Sequence, residues 1–508
     1  MNRIIKYITI SFLSISMVSC DSFLNVDVPD NLIHEEFWSN KDQVDAALNG
    51  LYTSLHNNLE RFHAWGDVRS SLYKPGSNFS SSYRQFLSHD IYPENHLVSW
   101  SPVYISITWI NSFLKNAPST LERDDTFKDS DLQIMMGEAR ALRALNYFYL
   151  VRAFKEVPIV DTPYESDTQE INTAASSEED VLDFIEADLA VALEKTAESF
   201  DNVNLQYGRF TKNAVRALWA DVKLWRNQYQ EVLDLTERLD QQYKNSMVAP
   251  LDWFTIFNPG NSSESIFEYQ YVQTGLGSPL YNWFSQGQRG DARFLANITN
   301  ISVNAGELLY PPIDDKHFSA DTIRLKNFSA FMLDPRFETS NGTGYEVYKF
   351  TGQTAYQLSY RPAGSRNANY IFYRYREILF MQAEALAMLG RYSEAESRIN
   401  IIREHTDLPQ IEAGGLSDGV DFMNFLLMER EFELGFEGKE WFAAVRVSRR
   451  SGYENILIEK ASNNSALGDS YQVIRARLLE PEAWFLPYHE TEIETNQMLE
   501  QKDYYKNK

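Results

Sequence analysis

The chain has 508 residues, 47 basic and 71 acidic side chains and a single cysteine. The formal net charge of −24 argues against a nucleic-acid binder and against electrostatic docking on an anionic membrane, because both need a basic surface. One cysteine excludes an internal disulfide framework, a cysteine-rich zinc site and an iron–sulfur cluster. The length permits a large core, and the aromatic content of 14% is high enough to need an explanation.

The first residues have the pattern of a secretory signal peptide. Arg3 and Lys6 precede an apolar stretch over 7–18, which is shorter than the roughly 20 residues that a membrane span needs. The stretch ends in Met17-Val18-Ser19-Cys20, which resembles a bacterial lipobox, where the cysteine is acylated and becomes the mature N-terminus. We predict a signal peptide over 1–19, lipid attachment at Cys20 and a polar tether over 20–30. An ordinary signal peptide with an incidental cysteine is the alternative.

Helical periodicity dominates the predicted body over 31–508. A helix is expected after Ser39-Asn40, and a late helix carries Phe425, Met428, Phe432 and Phe436. Between them the spacing predicts helices near 132–154 and 179–194 and closely joined pairs over 211–240 and 374–405.

The two joined pairs resemble each other and a degenerate tetratricopeptide unit. Ala220-Asp221 aligns with Ala383-Glu384, and an Asn or Gly at the turn precedes Tyr229 and Tyr392. We predict a mainly α fold, a tetratricopeptide-like helical-repeat scaffold with long loop-rich insertions over 61–109 and 245–370. The insertions are expected to carry a few short β-strands, such as the run 265–272.

No enzyme motif is present: the chain contains no HExxH, Walker loop, GxGxxG or GxSxG sequence. The 8 histidines are scattered without the spacing of metal ligands. We therefore predict a protein that is not an enzyme and that has neither a cofactor nor a metal site.

Aromatic residues are the best indication of a binding site, because both insertions are rich in them and interleave them with polar residues. A flat aromatic ring can cover the apolar face of a sugar while neighbouring polar groups bind its hydroxyls, and this is the general composition of a ligand site. The helix-like run 105–114 suggests that Tyr104 and Trp109 are instead buried, and Tyr269 and Tyr271 alternate as in a half-buried strand. The predicted ligand contacts are Trp65, Arg69, Tyr73, Asn78, Tyr83, Trp100, Tyr281, Trp283 and Arg289.

Seven segments in order carry a resemblance to a known family. They are the start Cys20–Val26, then Gly137–Ala144 with Tyr147-Phe148, Arg209–Lys212, Asp334–Phe337, Tyr375–Ile378 with Ala383–Ala385, Glu429–Arg446 and Phe485–Glu492. With them the chain resembles the SusD/RagB-like outer-membrane lipoproteins of Bacteroidota over nearly its whole length. It departs from the family pattern at Glu440 and Ala443. We expect the charged motif residues to pair between helices and maintain the fold.

The resemblance implies a lipoprotein anchored in the outer membrane and facing the cell surface. Such a protein would bind oligosaccharides or polysaccharide and deliver them, as a lid, to a TonB-dependent transporter of the SusC type. Peptide cargo, as in RagB-like members, is the nearest alternative, and a structural lid without ligand affinity is another. An enzyme is least favoured, since it would need a buried carboxylate pair in a cleft.

Overall fold

The computed structural model describes most of the body and leaves out the predicted signal peptide, Cys20 and the tether. The described residues are 37–76, 79–164, 169, 172–271, 277–284, 293–297, 344–345, 347–352, 361, 367–406, 408, 410–416, 418–464 and 467–508.

Helices account for most of the described chain, which confirms the mainly α prediction. They are α1 (Lys41–His63), α2 (Ser81–Ser88), α3 (Ser101–Asn116), α4 (Asp129–Phe154), α5 (Glu178–Lys195), α6 (Val203–Gly208), α7 (Lys212–Trp225), α8 (Tyr229–Tyr243), α9 (Pro279–Phe284), α10 (Tyr375–Met388), α11 (Tyr392–His405), α12 (Gly419–Leu434), α13 (Glu440–Ser448), α14 (Glu454–Ser462), α15 (Tyr471–Leu478) and α16 (Glu490–Thr495). The strands are β1 (Tyr73–Pro75), β2 (Ser265–Tyr269), β3 (Phe294–Asn297), β4 (Gly344–Tyr345) and β5 (Tyr370–Arg374).

Consecutive helices pack as antiparallel pairs, α4 on α5, α7 on α8 and α10 on α11, and α8 also packs on α10. Asn40, Ser177 and Thr211 cap α1, α5 and α7, since each side-chain oxygen accepts a backbone N–H of the first turn. The turns inside the two later pairs contain Asn227 and Gly390, both at positive φ, where asparagine and glycine are tolerated best.

Five short strands connect the insertions to the helical body. Strands β1, β3 and β4 form an antiparallel sheet in which Tyr73 lies opposite Ala296. Strands β2 and β5 form a second antiparallel sheet, with Glu268 opposite Ile371. The first sheet therefore joins the early insertion to the late one.

Buried ion pairs hold the repeats together. The guanidinium of Arg374 binds the carboxylates of Glu264, Glu433 and Glu437, and that of Arg376 binds Glu264 and Glu433 at 3.3 and 3.0 Å. All five side chains are almost fully buried. A buried charge is costly unless it is paired, so each member of this group depends on the others.

The early motif helix, α4, is tied to its neighbours in the same way. Glu138 accepts from Arg209 Nε at 2.7 Å, and the carboxylate of Asp188 on α5 binds both Arg140 and Arg143. These contacts join helices across the packing interface, as expected for motif residues that maintain the fold.

Candidate ligand-binding groove

Aromatic residues predicted from the two insertions meet around the ring of Phe294. Tyr73, Tyr83 and Trp283 place their ring centroids 5.3, 5.0 and 6.5 Å from it. All three are almost fully buried, as is Tyr281 on the same helix as Trp283. The cluster therefore forms part of the core where the two insertions join.

The hydroxyl groups of Tyr73 and Tyr83 in this cluster have protein partners. The hydroxyl of Tyr73 donates to Asp67 Oδ2 at 2.6 Å and lies 2.8 Å from His63 Nε2, which must then carry the proton. Burial raises the pKa of Asp67 to about 7 and lowers that of His63 to about 3. Tyr83 donates to Glu60, which also pairs with Arg293 at 2.8 Å.

Trp65 and Arg69 also lie in the core. The indole N–H of Trp65 donates to the carbonyl of Leu97 at 2.7 Å. The guanidinium of Arg69 stacks 4.0 Å over Trp441 and donates to the carbonyl of Trp484 at 2.7 Å. Asn78 and Arg289 fall outside the described residues. Trp65 and Arg69 are thus each only 1% exposed, and the contact of all four residues with a ligand stays a prediction.

Trp100 is the predicted residue that reaches a concave surface. It immediately precedes α3, packs on Phe154 at 5.0 Å and lines a groove of about 400 Å³. This volume is within the range of roughly 300–1,000 Å³ that is usual for small-molecule sites. The other lining residues are Ser101, Tyr104, Ile105, Thr108, Trp109, Pro158, Val160, Tyr164, Thr173, Glu492, Thr495, Asn496 and Leu499.

One wall of the groove is the outer face of α3. Val103, Ile107 and Ile110 are buried against the body, and helical geometry places Ile105 and Trp109 on the opposite side. Their exposed fractions are 47% and 49%. The prediction that Trp109 is buried is therefore wrong. The helical spacing of Val103, Ile107 and Ile110 predicts that Trp109 lies on the exposed face of α3, whereas the aromatic character of the run does not.

The second wall is the connection between α4 and α5. Tyr104 donates its hydroxyl to the carbonyl of Pro158 at 2.6 Å, and Asn111 donates to that of Val160 at 2.9 Å. Burial raises the pKa of Tyr104 well above its usual value, so the hydroxyl stays a donor. These bonds fix the segment that presents Tyr164, whose side chain is 40% exposed.

The C-terminal segment closes the third side. Asn496 donates its amide to the carbonyl of Thr173 at 2.7 Å, which ties this segment to the second wall. Glu492 Oε1 accepts from Ser99 Oγ at 2.9 Å and from the backbone N–H of Ser101 at 3.2 Å. The sequence analysis named Glu492 only as a family-motif residue and did not name Asn496, because neither lies in the two aromatic insertions.

The groove combines exposed aromatic faces with a polar rim, a composition suited to binding and not to catalysis. Trp109 and Tyr164 supply the exposed aromatic faces, whereas Trp100 is almost fully buried and contributes only its edge to the lining. Across the described ranges, no three histidine, cysteine or acidic side chains are grouped as a metal ion would require. No helix among these residues is long and apolar enough to cross a membrane.

Two family models match successive parts of the chain. A model described as "SusD family" matches residues 263–505, and one described as "Starch-binding associating with outer membrane" matches residues 22–241. Together the two matches span the early insertion, most of the late insertion and nearly all the helices of the body.

Individual proteins that the chain resembles are also described as SusD-like. The chain is 24% identical to "SusD-like protein P38" of Formosa agariphila over 87% of this chain and 92% of that protein. It is 27% identical to "SusD-like protein P2" of the same organism over 87% of this chain and 90% of that protein.

Solved structures show the same fold. A SusD superfamily protein from Bacteroides vulgatus has a TM-score of 0.72 at 17% identity, covering 92% of this chain and all of that one. A structure described as a "Laminarin binding SusD-like protein" has a TM-score of 0.67 at 20% identity, and the match covers 92% of this chain and 99% of that one. The ordered motifs, the paired helices and the family models lead to one conclusion: the chain belongs to the SusD/RagB-like family, whose members bind ligands and are not enzymes.

Proposed function

We propose that this protein is a glycan-binding lipoprotein of the outer membrane, and that the groove beside α3 is a binding site for the sugar. The observation that carries the proposal is the pairing of exposed aromatic faces, Trp109 and Tyr164, with a rim of hydroxyl, amide and carboxylate groups. Aromatic rings can cover the apolar faces of sugar rings while the rim binds hydroxyls. The laminarin-binding structure with the same fold supports this class of ligand.

Acylation of Cys20 would hold the body at the membrane surface. A single acyl chain anchors only marginally, whereas several chains on one cysteine anchor durably. In this arrangement the protein captures oligosaccharides outside the cell and passes them to a SusC-like TonB-dependent transporter, for which it acts as a lid. A Cys20→Ala variant should move from the membrane fraction to the soluble fraction, and an unchanged distribution would contradict the lipid anchor.

Isothermal titration against a panel of oligosaccharides tests ligand binding directly. For the ligand that binds, Trp109→Ala should weaken affinity at least roughly tenfold, as for other exposed aromatic anchors in binding sites. Tyr92→Ala is the matched control, because Tyr92 is 38% exposed and does not line the groove. Equal losses in both variants, or none in either, would place the sugar elsewhere.

The same titration separates the alternatives. A panel of peptides is titrated beside the oligosaccharides. A protein that binds peptides but no sugar would support peptide cargo, and one that binds neither would support a structural lid without ligand affinity. The groove favours sugars because Trp109 and Tyr164 are solvent-exposed, so that a sugar ring face can stack on them.

A further inference from the structure

We infer that the groove selects uncharged glycans and rejects those carrying uronic acid or sulfate groups. The inference rests on the proposed function and names the class of sugar that this site accepts. It follows from the charges that line the groove, from the hydrogen bonds that hold the carboxylate of Glu492, and from the surroundings of Arg61.

The lining has a single charged side chain. Among the fourteen residues that form the groove in the described part of the chain, Glu492 is the one acidic side chain and none is lysine, arginine or histidine. The remaining polar side chains carry hydroxyls, indole N–H groups and one amide. A carboxylate or sulfate on a sugar therefore finds no cationic donor here.

Glu492 is held in place by its own hydrogen bonds. Its Oε1 atom accepts from Ser99 Oγ and from the N–H of Ser101 at the start of α3. Its Oε2 atom accepts no hydrogen bond from the described residues. The free oxygen can accept a hydroxyl hydrogen from a neutral sugar, whereas an acidic sugar would bring a second negative charge beside it.

Arg61, a cation that interacts with Glu492, does not offset the negative charge that a ligand meets in the groove. Arg61 is close enough to interact electrostatically with Glu492. However, it does not line the groove, and its donors are directed at the carbonyl oxygens of Ser99 and His96, at 2.9 and 3.4 Å. A ligand held by the residues that line the groove therefore does not contact this guanidinium. Like charges without a partner reduce affinity for the wrong ligand, which is how a site gains specificity.

The experiment uses matched probes that differ only in charge. Hexamers of glucose, galactose and mannose are titrated into the mature chain beside their C6-oxidised counterparts, in which the primary hydroxyl has become a carboxylate. We expect the tightest ligand to be neutral and its oxidised counterpart to bind at least roughly fivefold more weakly at low salt, with the difference shrinking at high salt.

Glu492→Gln is the decisive variant. The glutamine oxygen can keep both hydrogen bonds of Oε1, so an unchanged thermal transition is the check that the fold survives. The amide nitrogen then replaces the accepting Oε2, so we expect affinity for the neutral hexamer to fall and its difference from the affinity for the oxidised hexamer to disappear. Trp109→Ala should weaken both ligands together.

The outcomes separate the inference from the proposed function. A tightest ligand that is anionic, a gap that persists in Glu492→Gln, or neutral binding that Trp109→Ala leaves intact would overturn the inference while glycan binding stands. If none of the hexamers binds, neutral or oxidised, the result would contradict the proposed function and with it the inference.

Discussion

Glu268 offers a test of the buried electrostatics, because replacing its carboxylate by an amide should stabilise the protein in a pH-dependent way. Its Oε1 accepts from the N–H of Asn261 and from Asn369 Nδ2, and its Oε2 accepts from Ser265 Oγ. No ion pair to Glu268 occurs among the described residues. A glutamine can keep the same bonds, with its amide nitrogen donating to Ser265.

The magnitude follows from the pKa. Burial raises the pKa of Glu268 from 4.5 to about 7, despite the three hydrogen bonds that favour the ionised form. A folded pKa above the unfolded one means that the stabilising contribution is complete below pH 4.5 and is lost as the pH rises through 7. Each pKa unit corresponds to about 1.4 kcal/mol, so the ionised carboxylate costs on the order of 3 kcal/mol at pH 8.

Denaturant unfolding of the wild type and Glu268→Gln at pH 4.5 and pH 8 measures this difference. We expect nearly equal free energies of unfolding at pH 4.5 and a variant more stable by about 3 kcal/mol at pH 8. A difference that is the same at both pH values, or a variant that is less stable at pH 8, would refute the reasoning.

Glu433→Gln is the control with the opposite sign. Burial alone would raise the pKa of Glu433, but Arg376 and Arg374 outweigh it and hold the pKa at about 2. The carboxylate therefore stabilises the fold above pH 4.5, and its contribution is lost as the pH falls towards 2. Neutralising it should destabilise the protein at both pH values used for Glu268.

Two further predictions concern packing and ion pairs. Gly66→Ala should lower the free energy of unfolding by about 3 kcal/mol, because the new Cβ would lie 2.0 Å from the carbonyl oxygen of Gly438. Gly50→Ala, on the open side of α1, should instead gain up to about 1 kcal/mol, and thermal melts showing equal shifts would contradict the contact. Arg446→Met should cost about 3–5 kcal/mol in urea unfolding, since it leaves Glu384 and Asp221 buried without this partner. A variant as stable as the wild type would contradict that dependence.

The helical scaffold could be predicted because its signals are local. The spacing of apolar residues along α7 and the turn residues Asn227 and Gly390 lie within one or two helical turns of the structure that they specify. Period and turn chemistry therefore placed the joined pairs before any tertiary contact was known.

The position of the insertion aromatics could not be predicted in the same way. Tyr73 is interleaved with polar residues, which suggested a wet surface, but its polar neighbours Asp67 and His63 are buried with it and satisfy its hydroxyl. Alternation of aromatic and polar residues does not distinguish a binding surface from a core that contains its own hydrogen bonds.

The groove was beyond sequence reasoning for a different reason, which is distance along the chain. Ser101 and Glu492 are 391 residues apart and meet through one hydrogen bond. No periodicity connects them. Trp109 was placed in the core because aromatic character was weighed above angular position on α3.

The residues that identify the family and the residues that would choose a ligand obey different constraints. Motif residues such as Glu433, Arg374 and Arg376 are buried charges, and changing one leaves its partners unpaired at a cost of several kcal/mol. Groove residues such as Trp109 and Tyr164 are exposed, so a substitution there costs the fold little and changes chiefly what can bind. A chain 24–27% identical to its relatives can therefore keep the scaffold and still differ in cargo. For the same reason, the choice between neutral and acidic sugars has to be argued from the groove of this chain and not from the family to which it belongs.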